Sequence, residues 1–432
     1  MKKEEITFYS SCRVCGSKNI ETVIKLNPTP PEGAFVSKTE LSIKQNVYKL
    51  EVAFCKDCSF LQLPYLLSPK ISYENYYYET KATIGLIDHF KDYAREVLSL
   101  VGADENSLVL DLGSNDGGML QAFKSYKMNV LGVEPCKPIA EVAVSQGIPT
   151  INEYFTEEVA EYIINNSGLA SIITANYMYA NIEDIISFTK NVKKVLSSNG
   201  TFVVETGYHP EQMKINMFDW VYHEHYSYFS VQVLRNVYNR CGLEIIDVQK
   251  VSMRGGCIRV IAQHQGGQRI IHSAVDEMIY DEQLAGMNKI ETYLKFAEEI
   301  SQIKDDVLML VREMKNKGET IVGYGASHST TTLTYFLEIL EYLDYIVDDN
   351  ESKHGKFTPG YHIPIHGTSK LIDEKPDSVI LLAWLYQAVI LKKNIDYLEQ
   401  GGKFLVPLPE VQIVNEANFG REWKTNNHAV SG

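Results

Sequence analysis

The sequence lacks three features that would each point to a different class of protein. It has no run of eighteen apolar residues, so no segment is long enough to cross a membrane as a helix. Its net charge is −14, whereas a protein that holds nucleic acid needs a basic surface. The first residues, Met1 to Glu5, are polar and contain no apolar segment of a secretory signal. We therefore expect a cytoplasmic protein that binds neither membranes nor nucleic acid.

The composition is otherwise that of a globular protein, with 45% hydrophobic and 22% charged residues. A chain of 432 residues is too long for one ordinary domain, so two or three domains are expected. Tyrosine is abundant, with 27 residues, and it clusters at 73–78 and again at 222–228. These clusters indicate either a polar pocket or tyrosine-rich packing.

Four of the seven cysteines form two Cys-x-x-Cys pairs, Cys12 with Cys15 and Cys55 with Cys58. Two thiolates three residues apart on a tight turn can face one ion, and two such pairs make a four-thiolate zinc site. Disulfide bonds are the alternative, but a reducing compartment disfavours them. Four thiolates leave no open position for a substrate, so we expect the zinc to be structural.

Short apolar strands alternate with helices from about residue 83 to 205, which predicts an α/β fold with a parallel sheet covered on both faces. A long helical stretch is expected from about Ala274 to Lys317, followed by a second, smaller α/β unit of the Rossmann type. The predicted organisation is a zinc module over residues 1–75, a methyl-donor-binding domain over 76–270, a helical connection over 271–318 and a C-terminal α/β domain over 319–432.

A strand, a glycine turn and a second strand ending in an acid form a nucleoside-binding pattern near residue 111. Glycines let the backbone approach a ligand, and an acid at the end of the second strand suits a ribose diol. The turn, Asp-x-Gly-x-x-Asp-Gly, resembles motif I of the class I S-adenosylmethionine methyltransferases. An unrelated doubly wound fold is the alternative. The resemblance assigns the cofactor to Asp111, Gly113, Asn115, Asp116, Gly117, Glu134, Pro135 and Asn176.

The segment Trp220 to Ser230 is dense in aromatic and titratable side chains. Together with the cysteine module, Gly255-Gly256, Gly323 to Ala326 and Thr358 to Gly360, it resembles the S-adenosylmethionine-dependent C-methyltransferases that act on nucleotide-linked 4-keto-6-deoxysugars. The resemblance extends over residues 12 to about 412, and the sugar 3-C-methyltransferases of antibiotic sugar biosynthesis are the most similar group. It implies a class I methyltransferase fold and a sugar pocket formed by Tyr222, Glu224, His225, Tyr76, Tyr78 and the position of Asn181.

Carbon methylation requires an enolate, and its chemistry fits these side chains. A histidine near neutral pKa can remove the proton beside a ketone, and a phenol can hydrogen-bond the resulting oxyanion. We expect His225, oriented by Glu224, to be the base and Tyr222 to steady the enolate. His223 and His225 could instead share one face of a strand and bind a metal with Glu224 or His209, or the His-Glu pair could be structural.

The second α/β unit has its own glycine turn, where a helix N-terminus could receive a phosphate. An acid ends the next strand, and two lysines follow in the loop beyond it. We therefore expect this unit to bind the nucleotide of the sugar, although it could also only support the methyltransferase domain. The residues expected to bind the substrate are Tyr324, Gly325, Ser327, His328, Asp348, Lys353 and Lys356.

Three positions depart from the resembled family. Asn181 stands where a histidine is frequent, Ser327-His328-Ser329 stands where a lysine is usual, and Cys257 follows the Gly-Gly pair. The departure at Asn181 affects the expected contact with the sugar, and the missing lysine affects the expected contact with the nucleotide. Two other functions are considered, a small-molecule O- or N-methyltransferase and a zinc-ribbon interaction protein with a degenerate methyltransferase fold. A monomer or a weak homodimer is expected.

Overall fold

Strands from the N-terminal cysteine segment begin the fold in the computed structural model, which describes residues 5–69, 71 and 85–422. β1 pairs with β5, while β2, β3 and β4 form a separate antiparallel sheet. A fourth strand of this sheet, Ser227–Tyr228, comes from the middle of the chain and pairs with β4. The bounds are β1 Ile6–Phe8, β2 Ile20–Thr29, β3 Tyr48–Cys55, β4 Leu61–Gln62 and β5 Tyr65–Leu67.

The central α/β unit has a seven-stranded sheet in the order β12-β13-β10-β9-β6-β7-β8. Five neighbouring strands of this sheet are parallel: β10, β9, β6, β7 and β8. Strands β13 and β12 add an antiparallel edge next to β10. The elements are α1 Leu86–Val101, β6 Leu108–Leu112, α2 Gly118–Lys124, β7 Asn129–Val133, α3 Lys137–Ser145, β8 Thr150–Ile151, α4 Glu157–Ser167, β9 Ala170–Thr174, α5 Ile185–Val195, β10 Leu196–Gly207, α6 His209–Lys214, β11 Ser227–Tyr228, α7 Val231–Cys241, β12 Leu243–Val251 and β13 Cys257–His264.

The connection between the two α/β units is helical, as expected for the stretch from about Ala274 to Lys317, and it consists of two helices. Helix α8 covers Ala274–Leu284 and α9 covers Ile290–Asn316. Gly286 lies between them with a φ of +72°, in the left-handed region that ends helices.

The C-terminal α/β unit has a six-stranded sheet in the order β16-β15-β14-β17-β18-β19, parallel except for its last pair. Its first helix occupies His328–Phe336 and follows the glycine turn directly. The bounds are β14 Ile321–Tyr324, α10 His328–Phe336, β15 Ile346–Asp348, β16 Ile365–Gly367, α11 Lys370–Glu374, β17 Ser378–Leu381, α12 Gln387–Lys393, α13 Ile395–Glu399, β18 Lys403–Val406, β19 Gln412–Val414 and α14 Glu416–Glu422.

One hydrophobic core joins the N-terminal strands to the C-terminal unit. Val23 and Leu50 belong to the same buried cluster as Ile303 of α9 and Leu333 of α10. Burial of large apolar side chains is the main stabilising term in folding, so this core fixes the N-terminal strands against the C-terminal unit. Across the described ranges, none of the helices has the length and apolar character needed to span a membrane.

Candidate functional site

The four N-terminal cysteines converge on one point. The Sγ atoms of Cys12 and Cys58 are 3.6 Å apart, as are those of Cys15 and Cys55, and all four lie within 4.8 Å of one another. Four thiolates around a tetrahedral zinc are separated by about 3.8 Å, whereas a disulfide requires an S–S distance of about 2.05 Å. The arrangement therefore fits a four-thiolate zinc site.

Arg13, between the first two of these cysteines, ties the zinc module to the central unit. Its buried guanidinium donates to the carbonyl oxygens of Ile182 and Glu183 at 3.2 and 2.9 Å, and also to the carbonyl of Tyr226 and the hydroxyl of Ser227. Burial lowers the pKa of Arg13 to about 10, so the group remains charged at neutral pH. The cysteine turn thus holds two central segments that line the main cavity.

That cavity, of about 690 Å³, opens at the carboxyl ends of β6, β7 and β9. The topology places it there, because β6 has β7 on one side and β9 on the other, and ligands of open α/β sheets bind at such a switch point. Six of the eight residues expected to bind the cofactor line it, namely Asp111, Gly113, Asn115, Glu134, Pro135 and Asn176. Gly117 belongs to the adjoining turn, where its amide donates to the Ser114 carbonyl at 3.0 Å.

Glycine is required at Gly113, where the chain turns toward the cavity. Its φ is +72°, and a Cβ added there would lie 2.8 Å from the Cγ of Met178. Asn115 also has a positive φ, of 50°, which asparagine tolerates better than most residues. The turn therefore lets the backbone approach a ligand closely. Asp116 belongs to the same turn and accepts the amide hydrogen of Gly118 at 3.1 Å.

Two carboxyl groups are buried at this turn. Glu134 accepts the amide hydrogens of Asn115 at 3.0 Å and of Cys136 at 2.8 Å, while burial raises its pKa. Asp111 accepts the hydroxyl hydrogen of Thr174 at 2.6 Å, and burial raises its pKa to about 7. Both side chains are oriented before a ligand binds, and a cationic ligand would favour their charged forms.

Asn176 links the cavity to a buried charge network. Its Oδ1 accepts from the Tyr93 hydroxyl at 3.2 Å and from the Glu205 amide at 2.8 Å, while its Nδ2 is buried without a hydrogen-bond partner. A buried donor without a partner is costly, so this amide fits a site that a ligand completes. Glu205 in turn accepts hydrogen bonds from Tyr177 and Arg259. These observations and the glycine cradle fit S-adenosylmethionine.

The aromatic segment around His225 is a buried turn beside the cavity and not the strand that the metal alternative required. The ring centroids of Tyr222 and His225 lie 3.9 Å apart, and that of Trp220 lies 4.5 Å from His225. His223 points elsewhere, with its Nε2 3.1 Å from the Thr29 hydroxyl. The two histidines therefore do not converge, and the cysteine cluster is the one group of three or more metal-type side chains among the described residues.

His225 has a different orienting partner from the expected Glu224. Its Nδ1 lies 2.9 Å from the carbonyl oxygen of Trp220. Burial is the main cause that lowers the pKa of His225 to about 3, and Arg254 and His328 contribute in the same direction. Because a carbonyl only accepts, the hydrogen of the neutral ring is assigned to Nδ1, which leaves Nε2 with a free lone pair.

Glu224 contacts the N-terminal module through its backbone. Its amide donates to Oε1 of Glu32 at 2.7 Å, and both side chains are buried, with 5% and 6% exposure. Burial, and then the charge of Glu32, raise the pKa of Glu224 well above its usual value. Glu32 lies in the proline-rich turn that follows β2, and nothing in the sequence pattern assigned it to the site.

The C-terminal unit brings its glycine turn to the same region. The neighbouring Gly33 is so close that an added Cβ would lie 2.8 Å from Nε2 of His328. Oδ2 of Asp348 accepts the amide hydrogen of Ala326 at 2.6 Å. Nζ of Lys353 lies 3.4 Å from the same oxygen and donates to the Ala326 carbonyl at 2.6 Å. Lys353 is thus engaged within the protein, whereas Lys356 is exposed.

The remaining predicted substrate residues are placed around this turn. Gly325 has a φ of +102°, and an added Cβ would lie 2.4 Å from the Cβ of Ala383. Tyr324 is buried and donates to Asp349 at 3.0 Å, and the Ser327 amide donates to Oγ1 of Thr330 at 3.0 Å. Tyr324 therefore supports the loop after β15 and does not line an open crevice.

Two predicted residues, Tyr76 and Tyr78, lie outside the described residues. Asn181 is the last residue of the short helical turn Tyr179–Asn181 and borders the cavity. Sequence reasoning missed Arg254, which borders the same cavity and lies over the Tyr177 ring at 4.2 Å. Both Tyr177 and Arg254 have positive φ, of 58° and 53°, and strain of this kind concentrates at functional sites. The position of Arg254 just before the Gly255-Gly256 pair was its only sequence signal.

Three family models match consecutive parts of the chain. A model described as a zinc binding domain matches residues 12–73, a methyltransferase domain matches 87–248, and a C-methyltransferase C-terminal domain matches 252–409. The C-methyltransferase NovU of Streptomyces niveus is 31% identical over 405 residues, which cover 94% of this chain and 96% of NovU. An uncharacterized methyltransferase of Bacillus subtilis, YcgJ, is 29% identical over 114 residues, 26% of this chain and 44% of YcgJ.

Solved structures are similar to a part of the chain. An S-adenosylmethionine-dependent methyltransferase from Clostridium acetobutylicum covers 42% of this chain and 92% of its own, with 13% identity and a TM-score of 0.33. Magnesium protoporphyrin IX methyltransferase from Synechocystis covers 42% of this chain and 84% of its own, with 10% identity and a TM-score of 0.34.

Proposed function

This chain belongs to the S-adenosylmethionine-dependent C-methyltransferase family, and from that premise we propose that it methylates a ring carbon, C3, of a nucleotide-linked 4-keto-6-deoxysugar through an enolate. The enzyme uses S-adenosylmethionine and binds zinc. Membership of a C-methyltransferase family favours carbon over oxygen or nitrogen as the acceptor. The sugar substrate and the C3 position are the proposal.

The observation that carries this proposal is the close ring pair of Tyr222 and His225, whose centroids are 3.9 Å apart, beside the proposed cofactor cavity. Residues next to the pair border the cavity, because Tyr226 and Arg254 both line it. The pair also lies near the C-terminal unit, since His328 of that unit is close enough to contribute to the pKa of His225. A base beside both a methyl-donor site and a nucleotide-type turn is the arrangement that carbon methylation of a sugar nucleotide requires.

His225 is proposed to remove the proton beside the ketone. The assigned tautomer leaves Nε2 free to accept it, and the Trp220 carbonyl holds the ring in place. A pKa of about 3 makes the ring a weak base while the pocket holds no anion. We expect the diphosphate of the substrate to raise this pKa, because a nearby negative charge stabilises the protonated imidazole.

Tyr222 and Arg254 are proposed to stabilise the enolate. A phenol can donate to the C4 oxyanion, and a guanidinium near His225 supplies a positive charge in a region of low dielectric. The guanidinium of Arg254 packs against the face of the Tyr177 ring, and the hydroxyl of Tyr177 donates a hydrogen bond to Glu205. When bound, S-adenosylmethionine supplies the electrophilic methyl group.

The nucleotide is proposed to bind at the C-terminal turn around Gly325 and Asp348. β14 has β15 on one side and β17 on the other, so this turn is also a switch point of a parallel sheet. The proposed division of the chain is 1–75, 76–270, 271–318 and 319–432. β11 lies in the second of these parts along the chain, but it pairs with β4 and so completes the sheet of the zinc module.

Methyl transfer to a panel of dTDP-, GDP- and CDP-4-keto-6-deoxysugars tests the substrate. We expect mass spectrometry to show one added methyl group on at least one of them, with the carbon identified by NMR. No transfer to any member, by protein that binds S-adenosylmethionine, would overturn the sugar assignment.

The base is tested by His225→Ala. We expect methylation to fall about 10²- to 10⁴-fold, the usual contribution of a general base, with S-adenosylmethionine affinity unchanged. His223→Ala is the matched control, because that ring lies in the same turn but contacts Thr29. An enzyme that methylates at the wild-type rate without His225 would exclude it as the base, and Tyr76 or Tyr78 would be examined next.

A further inference from the structure

The turn that orients His225 is held from the C-terminal unit. Nδ1 of His225 lies 2.9 Å from the carbonyl oxygen of Trp220, and the centroids of the two rings are 4.5 Å apart. Trp220 ends the short helical turn Phe218–Trp220. The residues on either side of it, Asp219 and Val221, are each hydrogen-bonded to the C-terminal unit. The orientation of the imidazole therefore depends on contacts that come from another part of the chain.

These two hydrogen bonds are buried. Nε1 of Trp384 donates to Oδ2 of Asp219 at 3.0 Å, and Oγ1 of Thr332 on α10 donates to the carbonyl oxygen of Val221 at 2.9 Å. The side chains of Asp219, Trp384 and Thr332 are all buried. A buried polar group that loses its partner is costly, so both bonds hold the turn firmly in place.

The segment around Trp384 also touches the proposed nucleotide turn and the wall of the cavity. A Cβ added to Gly325 would lie 2.4 Å from the Cβ of Ala383, so the two backbones are in close contact. A Cβ added to Gly255 would lie 3.2 Å from Cδ2 of Leu385, and Gly255 directly follows the arginine that lines the cavity. This segment thus lies between the proposed nucleotide site and the proposed site of methyl transfer.

We propose that Trp384 and Thr332, both in the C-terminal unit, are positioning residues of the methyl-transfer site. They fix the turn around Trp220, whose carbonyl oxygen and ring hold the imidazole of His225 in one orientation. This inference rests on the proposed function, in which His225 is the base. Misplacement of a reacting group by about 1 Å can cost about 10²-fold in rate, so the C-terminal unit contributes to the chemistry as well as to nucleotide binding.

Thr332→Val tests the bond to Val221 with little change of shape. We expect kcat to fall about three- to tenfold, the effect of one lost hydrogen bond, with KM for S-adenosylmethionine unchanged. Thr332→Ser, which keeps the hydroxyl, should restore kcat. Thr334→Val is the matched control, because that hydroxyl is equally buried on the same helix but donates to the Thr330 carbonyl at 2.7 Å. Equal kcat in the two valine variants would overturn the proposal.

Trp384→Phe tests the second bond, since it keeps an aromatic ring and removes the indole donor. We expect kcat to fall about tenfold or more, because a bond to a charged group is stronger than a neutral one. Asp219→Asn keeps an oxygen acceptor for the indole and should stay within about threefold of the wild type. Tyr397→Phe is the control, since its hydroxyl donates to the Pro376 carbonyl elsewhere in the same unit. A Trp384→Phe enzyme with the wild-type kcat would contradict the assignment.

Nitrogen-15 NMR of the His225 ring tests the inference without any substrate. The signals are identified by their loss in His225→Ala, and the wild type should show one tautomer with its hydrogen on Nδ1. In the double variant Thr332→Val, Trp384→Phe the two ring nitrogen shifts should move toward each other as the second tautomer becomes populated. Thr334→Val should leave them in place.

The two kinds of failure are distinguishable. Unchanged ring signals in the double variant would overturn the inference even if the sugar is methylated. Changed signals, without methylation of any sugar in the panel, would locate the error in the proposed function instead.

Discussion

At the scale of single residues, the cofactor cavity depends on two carboxyl groups that are buried before a ligand arrives. Glu134 is fixed by the amides of Asn115 and Cys136, and Asp111 by the hydroxyl of Thr174. Such preorganisation lowers the entropy lost on binding, and burial makes the charge of each group sensitive to a cationic ligand. Two predictions follow from these side chains.

Glu134→Ala should weaken S-adenosylmethionine binding about ten- to hundred-fold. The change removes a charged hydrogen-bond acceptor, which is worth about 1.5–3 kcal/mol. Isothermal titration calorimetry measures the affinity, and Glu141→Ala, an exposed acid on α3, is the control. Equal affinity in the two variants would mean that the ribose is held elsewhere.

Affinity for S-adenosylmethionine should rise between about pH 6 and 8 and then level off. The pKa of Asp111 is raised to about 7, so at lower pH the group must release a proton before it can pair with the cationic ligand. Asp111→Asn should remove this dependence. Asp219→Asn should keep it, because that buried acid, whose pKa is raised to about 6, is bonded to Trp384 instead. A pH dependence that survives in Asp111→Asn would assign it to another group.

At the scale of elements, the turn after β14 and the loop after β15 form the proposed nucleotide site. Asp348 fixes the turn through the Ala326 amide, and Lys353 closes it through the Ala326 carbonyl. This internal engagement distinguishes Lys353 from Lys356. The lysine that remains exposed is the better candidate for a diphosphate contact.

Lys356→Ala should raise KM for the sugar nucleotide about fivefold, which corresponds to about 1 kcal/mol for an exposed charge pair. The affinity for S-adenosylmethionine should not change, since Lys356 does not border its cavity. Steady-state kinetics against both substrates separate the two effects, with Lys392→Ala on α12 as the control. A change confined to the cofactor would contradict the assignment of the nucleotide to this unit.

At the scale of the whole molecule, the zinc module holds the other parts together. Its sheet includes β11, its apolar face shares a core with the C-terminal unit, and Arg13 clamps two segments of the cavity wall. Zinc therefore acts at a distance from the chemistry, because the cysteine turn that it fixes is the turn that carries Arg13.

Cys55→Ser should remove zinc and lower both the unfolding temperature and the methylation rate. Each kcal/mol of lost stability lowers the midpoint by about 2–4 °C in domains of 150–250 residues. Metal analysis and calorimetry measure the change, and Cys241→Ser, a buried cysteine outside the cluster, should keep its zinc. A Cys55→Ser protein with full zinc content and the wild-type midpoint would show that this cysteine is not a ligand.

Local patterns determined much of the fold. Strands of the two parallel sheets, such as Leu108–Leu112 and Lys403–Val406, lie where their apolar runs predicted them. The Cys-x-x-Cys spacing predicted the zinc cluster, and the glycine turn predicted where the cofactor cavity opens. Each of these features depends on residues close together in the chain, so periodicity and spacing contain the necessary information.

Only the tertiary structure decided which distant side chains meet. Glu32 lies 192 positions from Glu224 along the chain, and Arg254 is also far in sequence from Tyr177, whose ring it contacts. No local sequence pattern could therefore pair either set of residues. The orientation of His225 by the Trp220 carbonyl was also hidden, because sequence does not record which way a buried ring turns. Long-range contacts are set by the packing of elements against one another, and the sequence encodes that packing only through the whole core.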